Sequence, residues 1–102
     1  MSKLDELRST SPAAADAFRL LRNAADHHAG LDEKQREFCS LAAFAATRNE
    51  GAFRIHASRA REAGATEAEL EQVVLLLLGT SSGLVPVLDA LRWIHAEFAA
   101  AS

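Results

Sequence analysis

Apolar residues recur every three to four positions through most of the chain, which is the spacing of amphipathic helices. The first such stripe follows Ser11-Pro12, where serine can cap a helix and proline suits its first position. The stripe ends at His28-Ala29-Gly30, where glycine favours a helix stop. The sequence therefore predicts a helix between these two signals. Its apolar members are Ala14, Phe18, Leu21 and Ala25.

Two more helices are predicted downstream. One opens at Leu31-Asp32, where acidic residues suit the positive end of the helix dipole, and it stops near Gly51. The next runs from about Gly51 to Ala63, and Gly64 is expected to end it in the left-handed conformation. The buried stripe predicted for the first of the two consists of Phe38, Leu41, Ala42 and Ala45.

A capping box opens the fourth predicted helix, because Thr66 can accept from the amide of Glu69 while that carboxylate reaches back. The helix is predicted to run to Leu78 and, being apolar nearly all round at its end, to be central. A small-residue break over 79–83 precedes a last helix over about 85–100. In this helix Leu88, Leu91 and Phe98, or Trp93 and Ile94, are predicted to face inward. With no strand signal, the prediction is an all-α fold of about five helices.

Composition narrows the class of protein. The length of 102 residues predicts a single domain over 1–102. Hydrophobic residues make up 49% of the chain, but many are alanine, so we expect a thin core that subunit association would enlarge. The net charge of −3 predicts no nucleic-acid partner, and the apolar run 73–78 is too short for a membrane span. With no signal-peptide pattern at the N-terminus and one cysteine, we expect a cytoplasmic protein.

Glu37 and His56 are the candidates for proton transfer. Glu37 has Leu41 and Phe44 at helical spacing, so its carboxylate is expected to be partly desolvated; the alternative is an ordinary surface glutamate. His56 shares its helix face with alanines, which leave space beside a ring that can act as acid or base. The alternative for His56 is a core or interface histidine with one hydrogen bond.

Arg54 and Arg59 flank His56 and are the candidate substrate-binding residues. Either guanidinium can hold a carboxylate through two parallel hydrogen bonds. The alternatives are a solvated helix face and an ion pair between subunits.

The remaining histidines and the one cysteine are given structural roles. His27 and His28 suit a helix C-terminus, and no ligand set is spaced to complete a metal site around them. His95 is expected at the surface. Cys39 lies in an apolar helix and is expected to be buried and inert.

The order of four segments resembles the carboxymuconolactone decarboxylase family, with its AhpD-like fold, over about residues 31–95. The segments are Leu31-Asp-Glu-Lys-Gln-Arg-Glu37, Phe53-Arg54-Ile55-His56, Ala63-Gly64-Ala65-Thr66 and Gly83-Leu-Val-Pro86. The resemblance implies homo-oligomers, trimers or hexamers, with pockets near the subunit contacts.

The peroxidase branch of that family uses a Cys-x-x-Cys-x-x-x-His motif and an upstream relay glutamate. Counting back from His56, the two cysteine positions hold Asn49 and Ala52. Glu37, nineteen residues before His56, falls where that branch keeps its glutamate. Since neither asparagine nor alanine forms a thiolate, disulfide-based peroxide reduction through this motif is excluded.

The decarboxylase branch removes carbon dioxide from 4-carboxymuconolactone without a cofactor or metal. Such a reaction needs a basic group to hold the substrate carboxylate and an acid to protonate the product. The hypothesis is that Arg54 or Arg59 holds a small carboxylated substrate, that His56, the residue carried over from the family, is the acid and that Glu37 sets its tautomer and charge. The alternatives are a non-catalytic oligomeric member with a relic pocket and an alkylhydroperoxidase-like antioxidant acting through Cys39.

Overall fold

The computed structural model describes residues 2–102, which form six α-helices and no strand. The all-α prediction is confirmed, with one helix more than the five expected. The helices are α1 (Lys3–Thr10), α2 (Pro12–Asp26), α3 (Glu33–Ala46), α4 (Glu50–Glu62), α5 (Glu67–Leu75) and α6 (Leu84–Ala101).

Helix α1 is the unexpected element, and a capping box begins it. The Ser2 hydroxyl accepts from the Asp5 amide at 3.1 Å, and the Asp5 carboxylate accepts from the Ser2 amide at 3.2 Å. No residue of α1 is buried. A search for apolar stripes therefore misses this helix, because its signal lies in its cap.

Contacts between residues divide the chain into two compact units, one ending at Leu31 and one beginning at Asp32. In the first unit α1 packs against α2, and Arg8 pairs with Asp16 at 2.8 Å. Helix α2 starts on Ser11 and Pro12 as predicted. Among residues 2–31 its Ala15 is the one buried hydrophobic residue, whereas Phe18 is 48% exposed and Leu21 is 64% exposed.

The second unit packs α3 to α6 around one core. Phe53 of α4 is fully buried, and its ring centroid lies 5.4 Å from that of Trp93 on α6. Alanines on α3, α4 and α6 let the helix backbones approach closely. The buried residues are Leu41, Ala45, Phe53, Ala57, Ala60, Ala65, Leu70, Val74, Val87, Ala90 and Ile94.

Helix α5 begins in the predicted Thr66 and Glu69 capping box, after Gly64 at φ +96°. It ends at Leu75, three residues earlier than predicted, and a turn containing Gly79 at φ +79° follows. The helix is predicted to be central because its end is apolar nearly all round, but at that end Leu75, Leu76 and Leu78 are 40–65% exposed. Leu70 and Val74 are buried, but a segment that is apolar all round carries more apolar surface than its neighbouring helices cover.

Helix α6 buries Val87, Ala90 and Ile94. Ile94 was predicted to face inward, and Leu91, Trp93 and Phe98 pack against the same core while partly exposed. Leu88 was predicted inward but is 39% exposed, because it follows the buried Val87 by one residue and is rotated about 100° from it around the helix axis. None of the helices within residues 2–102 has the length and apolar character that a membrane crossing requires.

Candidate functional site

Glu37 of α3 and His56 of α4 meet in the second unit. The Nδ1 of His56 lies 2.6 Å from Oε2 of Glu37. The glutamate side chain is 13% exposed and the histidine side chain 20% exposed. The two residues selected for proton transfer therefore form one hydrogen-bonded pair that solvent still reaches.

The connection between α3 and α4 sets the register that brings these two residues together. Helix α3 ends at Ala46, and Arg48 then takes a left-handed conformation with φ +58°. The Asn49 amide donates to the Phe44 carbonyl at 2.9 Å, and the Asn49 side chain accepts from the Ala52 amide at 3.2 Å. The chain thus reverses within three residues and starts α4 at a fixed point.

The ring of Phe44 lies against His56. Their ring centroids are 5.1 Å apart, and the ring planes are inclined by 38°. Together with the Glu37 hydrogen bond, this contact defines the position of the imidazole. The sequence presents Phe44 only as an apolar neighbour of Glu37, since its contact with α4 depends on how the two helices pack.

The hydrogen bond to Glu37 shows which ring nitrogen of His56 donates a proton and which keeps its lone pair. A carboxylate accepts, so Nδ1–H of His56 donates to it, and in the neutral ring Nε2 keeps its lone pair. No side chain or backbone group among residues 2–102 bonds to Nε2. The pair can therefore take up or release a proton at Nε2 while Glu37 stabilises the charged ring.

The two candidate arginines are both exposed on α4. Arg54 and Arg59 line a shallow depression with Ile55, Ser58 and Glu62, and neither Glu37 nor His56 contributes to it. Arg54 is hydrogen-bonded at 2.7 Å to Glu50. At 3.6 residues per turn, Arg54 is rotated about 160° from His56 around the helix axis, and Arg59 only about 60°.

Comparison with known families shows which family the chain belongs to. The sequence model of the carboxymuconolactone decarboxylase family matches residues 12–96, from the start of α2 to near the end of α6. The chain belongs to the carboxymuconolactone decarboxylase family. Searches of curated proteins and of solved structures found no match.

In this carboxymuconolactone decarboxylase family member, the positions of the peroxidase cysteines have other roles. Asn49 is the N-cap of α4, and its side chain accepts from the amide of Ala52, the residue at the second position. The sequence identifies the missing thiols, and the structure adds that one replacement stabilises the helix carrying His56.

Cys39 corrects the prediction of a buried thiol, because its side chain is exposed. It lies two residues before the fully buried Leu41, which rotates it about 160° away from the core side of α3. The apolar residues around it, Phe38, Leu41 and Ala42, lie on the buried or partly buried sides of the helix, whereas Cys39 does not. An apolar sequence context therefore gives the wrong burial here.

The other histidines lie where the sequence places them. His27 is the C-cap of α2, and its Nδ1–H donates to the Asn23 carbonyl at 2.9 Å. His95 is at the surface with its side chain 53% exposed, and its Nε2 lies 2.8 Å from Oε2 of Glu71. Within residues 2–102, no three His, Cys, Asp or Glu side chains are grouped as metal ligands.

Proposed function

We propose that the chain is a carboxymuconolactone decarboxylase-like enzyme acting without a cofactor on a small carboxylated, lactone-like compound. The reaction is decarboxylation or the related transfer of a proton at carbon. The observation that carries the proposal is the partly buried Glu37 and His56 pair with Nε2 of His56 unbonded.

In the decarboxylation step, the bond between the ring carbon and the substrate carboxylate breaks and carbon dioxide leaves. The electron pair moves into the conjugated lactone, giving an enolate-type intermediate. Nε2–H of the charged His56 ring then protonates carbon, and the ring regains its proton from solvent for the next cycle. Glu37 holds the ring through Nδ1 and stabilises its charged form.

Arg59 is the better of the two candidates for holding the substrate carboxylate. It lies one helical turn after His56 and on a similar side of α4, as expected for an i, i+3 pair. Its side chain has no hydrogen-bond or ion-pair partner among residues 2–102, whereas Arg54 is paired with Glu50. An unpaired guanidinium can bind a carboxylate without first breaking an internal contact.

The test is a spectrophotometric assay with purified protein and 4-carboxymuconolactone, following loss of the substrate's ultraviolet absorbance. We expect turnover by the wild type, none by His56→Ala, and a raised KM for Arg59→Ala but not for Arg54→Ala. His95→Ala is the matched control, because it removes the other histidine paired with a glutamate. Equal activity of His56→Ala and wild type would contradict the assignment.

A non-catalytic oligomeric family member is the second candidate. It is favoured by one observation: the depression lined by both arginines does not include His56. If the folded wild type leaves 4-carboxymuconolactone and related carboxylated lactones unchanged, this second function is the better description.

A further inference from the structure

Ser40 of α3 has a hydroxyl group that is not used within the fold. The hydroxyls of Thr47 and Thr80 donate to the carbonyl oxygen four residues earlier, at 2.8 and 3.1 Å, as serine and threonine in helices commonly do. Ser40 makes no such bond and no other side-chain bond within residues 2–102. The residue is partly buried, but its oxygen is open to solvent, because in the described part of the chain only the Ser82 hydroxyl is both enclosed and unpartnered. The Ser40 hydroxyl can therefore bond to a ligand.

Ser40 lies between the two residues of α3 that contact His56. Glu37, three positions earlier, is hydrogen-bonded to the imidazole, and Phe44, four positions later, lies against its ring. At about 100° per residue, Ser40 is rotated about 60° from Glu37 and about 40° from Phe44, and it lies between them along the helix axis. The hydroxyl is therefore beside the candidate site.

Ser40 is also on the side of α3 that faces away from the core. The fully buried Leu41 is rotated about 40° from Glu37 in one direction around the helix, and Ser40 about 60° in the other. We refer to the side of the pair that carries Ser40 as its open side.

Arg59 has the equivalent position on α4. The fully buried Ala60 is rotated about 40° from His56 in one direction around that helix, and Arg59 about 60° in the other. Because Leu41 and Ala60 belong to one core, the open sides of the two helices face the same way. A small ligand that reaches the pair from solvent therefore meets Ser40 on one side and Arg59 on the other.

We propose that Ser40 is a further substrate-binding residue, whose hydroxyl donates to the lactone carbonyl oxygen while Arg59 holds the carboxylate. The assignment rests on the proposed function, in which the electron pair left by carbon dioxide moves into the conjugated lactone. Negative charge then develops on the lactone carbonyl oxygen, and a hydrogen bond to that oxygen becomes stronger as the charge grows. The substrate class is thereby narrowed to compounds with a carboxylate and a carbonyl oxygen on the same small ring.

The experiment compares the binding of two stable ring carboxylates to the full chain by NMR titration. The anion of γ-carboxy-γ-butyrolactone has the lactone carbonyl, and tetrahydrofuran-2-carboxylate lacks it. We expect wild type to bind the lactone about 3- to 10-fold more tightly, which is the effect of one hydrogen bond, and Ser40→Ala to bind the two ligands equally. Alanine favours helix more than serine does, so the variant is expected to fold.

Ser58→Ala is the matched control and should keep the wild-type preference for the lactone. Ser58 is also a partly buried serine in a helix and has no side-chain partner among the described residues. It is rotated about 160° from His56 around α4, which places its hydroxyl away from the pair.

Three results would overturn the assignment of Ser40. They are a preference for the lactone that persists in Ser40→Ala, equal binding of the two ligands by wild type, and binding of neither ligand up to about 10 mM.

Turnover of 4-carboxymuconolactone separates this assignment from the proposed function. With an active wild type, Ser40→Ala should lower kcat about 10-fold or more. A wild type that shows the binding preference but no turnover would refute the proposed function and leave Ser40 as a ligand-binding residue. Turnover by wild type, with the preference unchanged in Ser40→Ala, would refute the assignment of Ser40 alone.

Discussion

At the scale of single residues, the chemistry of the site depends on how His56 is held. Glu37 fixes Nδ1 at 2.6 Å, and Phe44 lies against the ring with the centroids 5.1 Å apart. Rotation of the imidazole would break the hydrogen bond to Glu37 and disturb the contact with Phe44. Nε2 is therefore kept in one position, as the proposed protonation of a defined carbon would require.

Glu37→Gln separates the charge of this pair from its geometry. Glutamine keeps an oxygen that can accept from Nδ1–H but no longer stabilises the charged ring. We expect kcat for the proposed decarboxylation to fall about 10- to 100-fold, with a smaller change in KM. Steady-state kinetics on 4-carboxymuconolactone check this, and Glu71→Gln, the same change in the His95 pair, is the control. A kcat equal to that of wild type would show that Glu37 only positions the ring.

The sequence is informative about this pair because residue type and spacing select Glu37 and His56. It is not informative about Phe44, because the contact of that ring with His56 depends on the packing of α3 against α4. Cys39 shows the corresponding error: apolar neighbours in the sequence do not establish burial, because Cys39 is exposed although Leu41, two residues later, is fully buried.

At the scale of helices, caps predict the element boundaries better than apolar stripes do. Ser11 and Thr66 begin α2 and α5 as the sequence predicts, and the missed α1 also begins in a capping box. The sequence predicts the end of α5 too late, because the run of leucines contains no polar residue that would indicate where the helix ends. Its actual end depends on the turn that Gly79 permits.

The cap formed by Asn49 also supports the candidate site, because Asn49 begins α4, the helix that carries His56. Replacing Asn49 by alanine leaves the Ala52 amide without its side-chain acceptor. We expect a loss of about 1 kcal/mol in the free energy of unfolding, measured by urea denaturation. Asn49→Asp keeps an acceptor at the helix start and should lose little. A fall in stability for the aspartate variant equal to that for alanine would show that the cap is not the cause.

Glu69 gives α5 a contribution to stability that depends on pH. Hydrogen bonding to Lys34, at 2.8 Å, and then to the Thr66 amide lowers the pKa of Glu69 below its ordinary value. Because the folded pKa is below the unfolded one, the stabilisation is present above about pH 4.3 and is lost as pH falls through the folded pKa.

Glu69→Gln tests this effect, since glutamine can still cap Thr66 but has no charge for Lys34. Thermal unfolding of wild type and variant should differ at pH 7 and converge as the pH approaches 3. Glu67→Gln removes a charge from the same first turn of α5 and is the control for the helix dipole. A difference between wild type and Glu69→Gln that does not change with pH would exclude the Lys34 contact as its source.

At the scale of the whole molecule, the alanine-rich composition has the consequence that the sequence predicts. Six of the twelve buried hydrophobic residues among residues 2–102 are alanine, so the core is thin. Much of the larger apolar volume lies instead at the surface, on α2 and around the turn between α5 and α6. The sequence does not distinguish the exposed leucines from the buried ones. Both kinds recur at helical spacing or stand in apolar runs, as core residues do.

If copies of the chain associate, as the family resemblance implies, the stability of the chain depends on its concentration. Association of folded chains draws the unfolding equilibrium toward the folded state, and for a dimer each tenfold rise in concentration adds about 1.4 kcal/mol per mole of dimer. For two chains of this length that corresponds to a rise of about 3 °C in Tm. Differential scanning calorimetry between about 5 and 500 µM measures the dependence. Wild type should show it; a wild-type Tm that does not change with concentration would mean that the chain does not associate in this range.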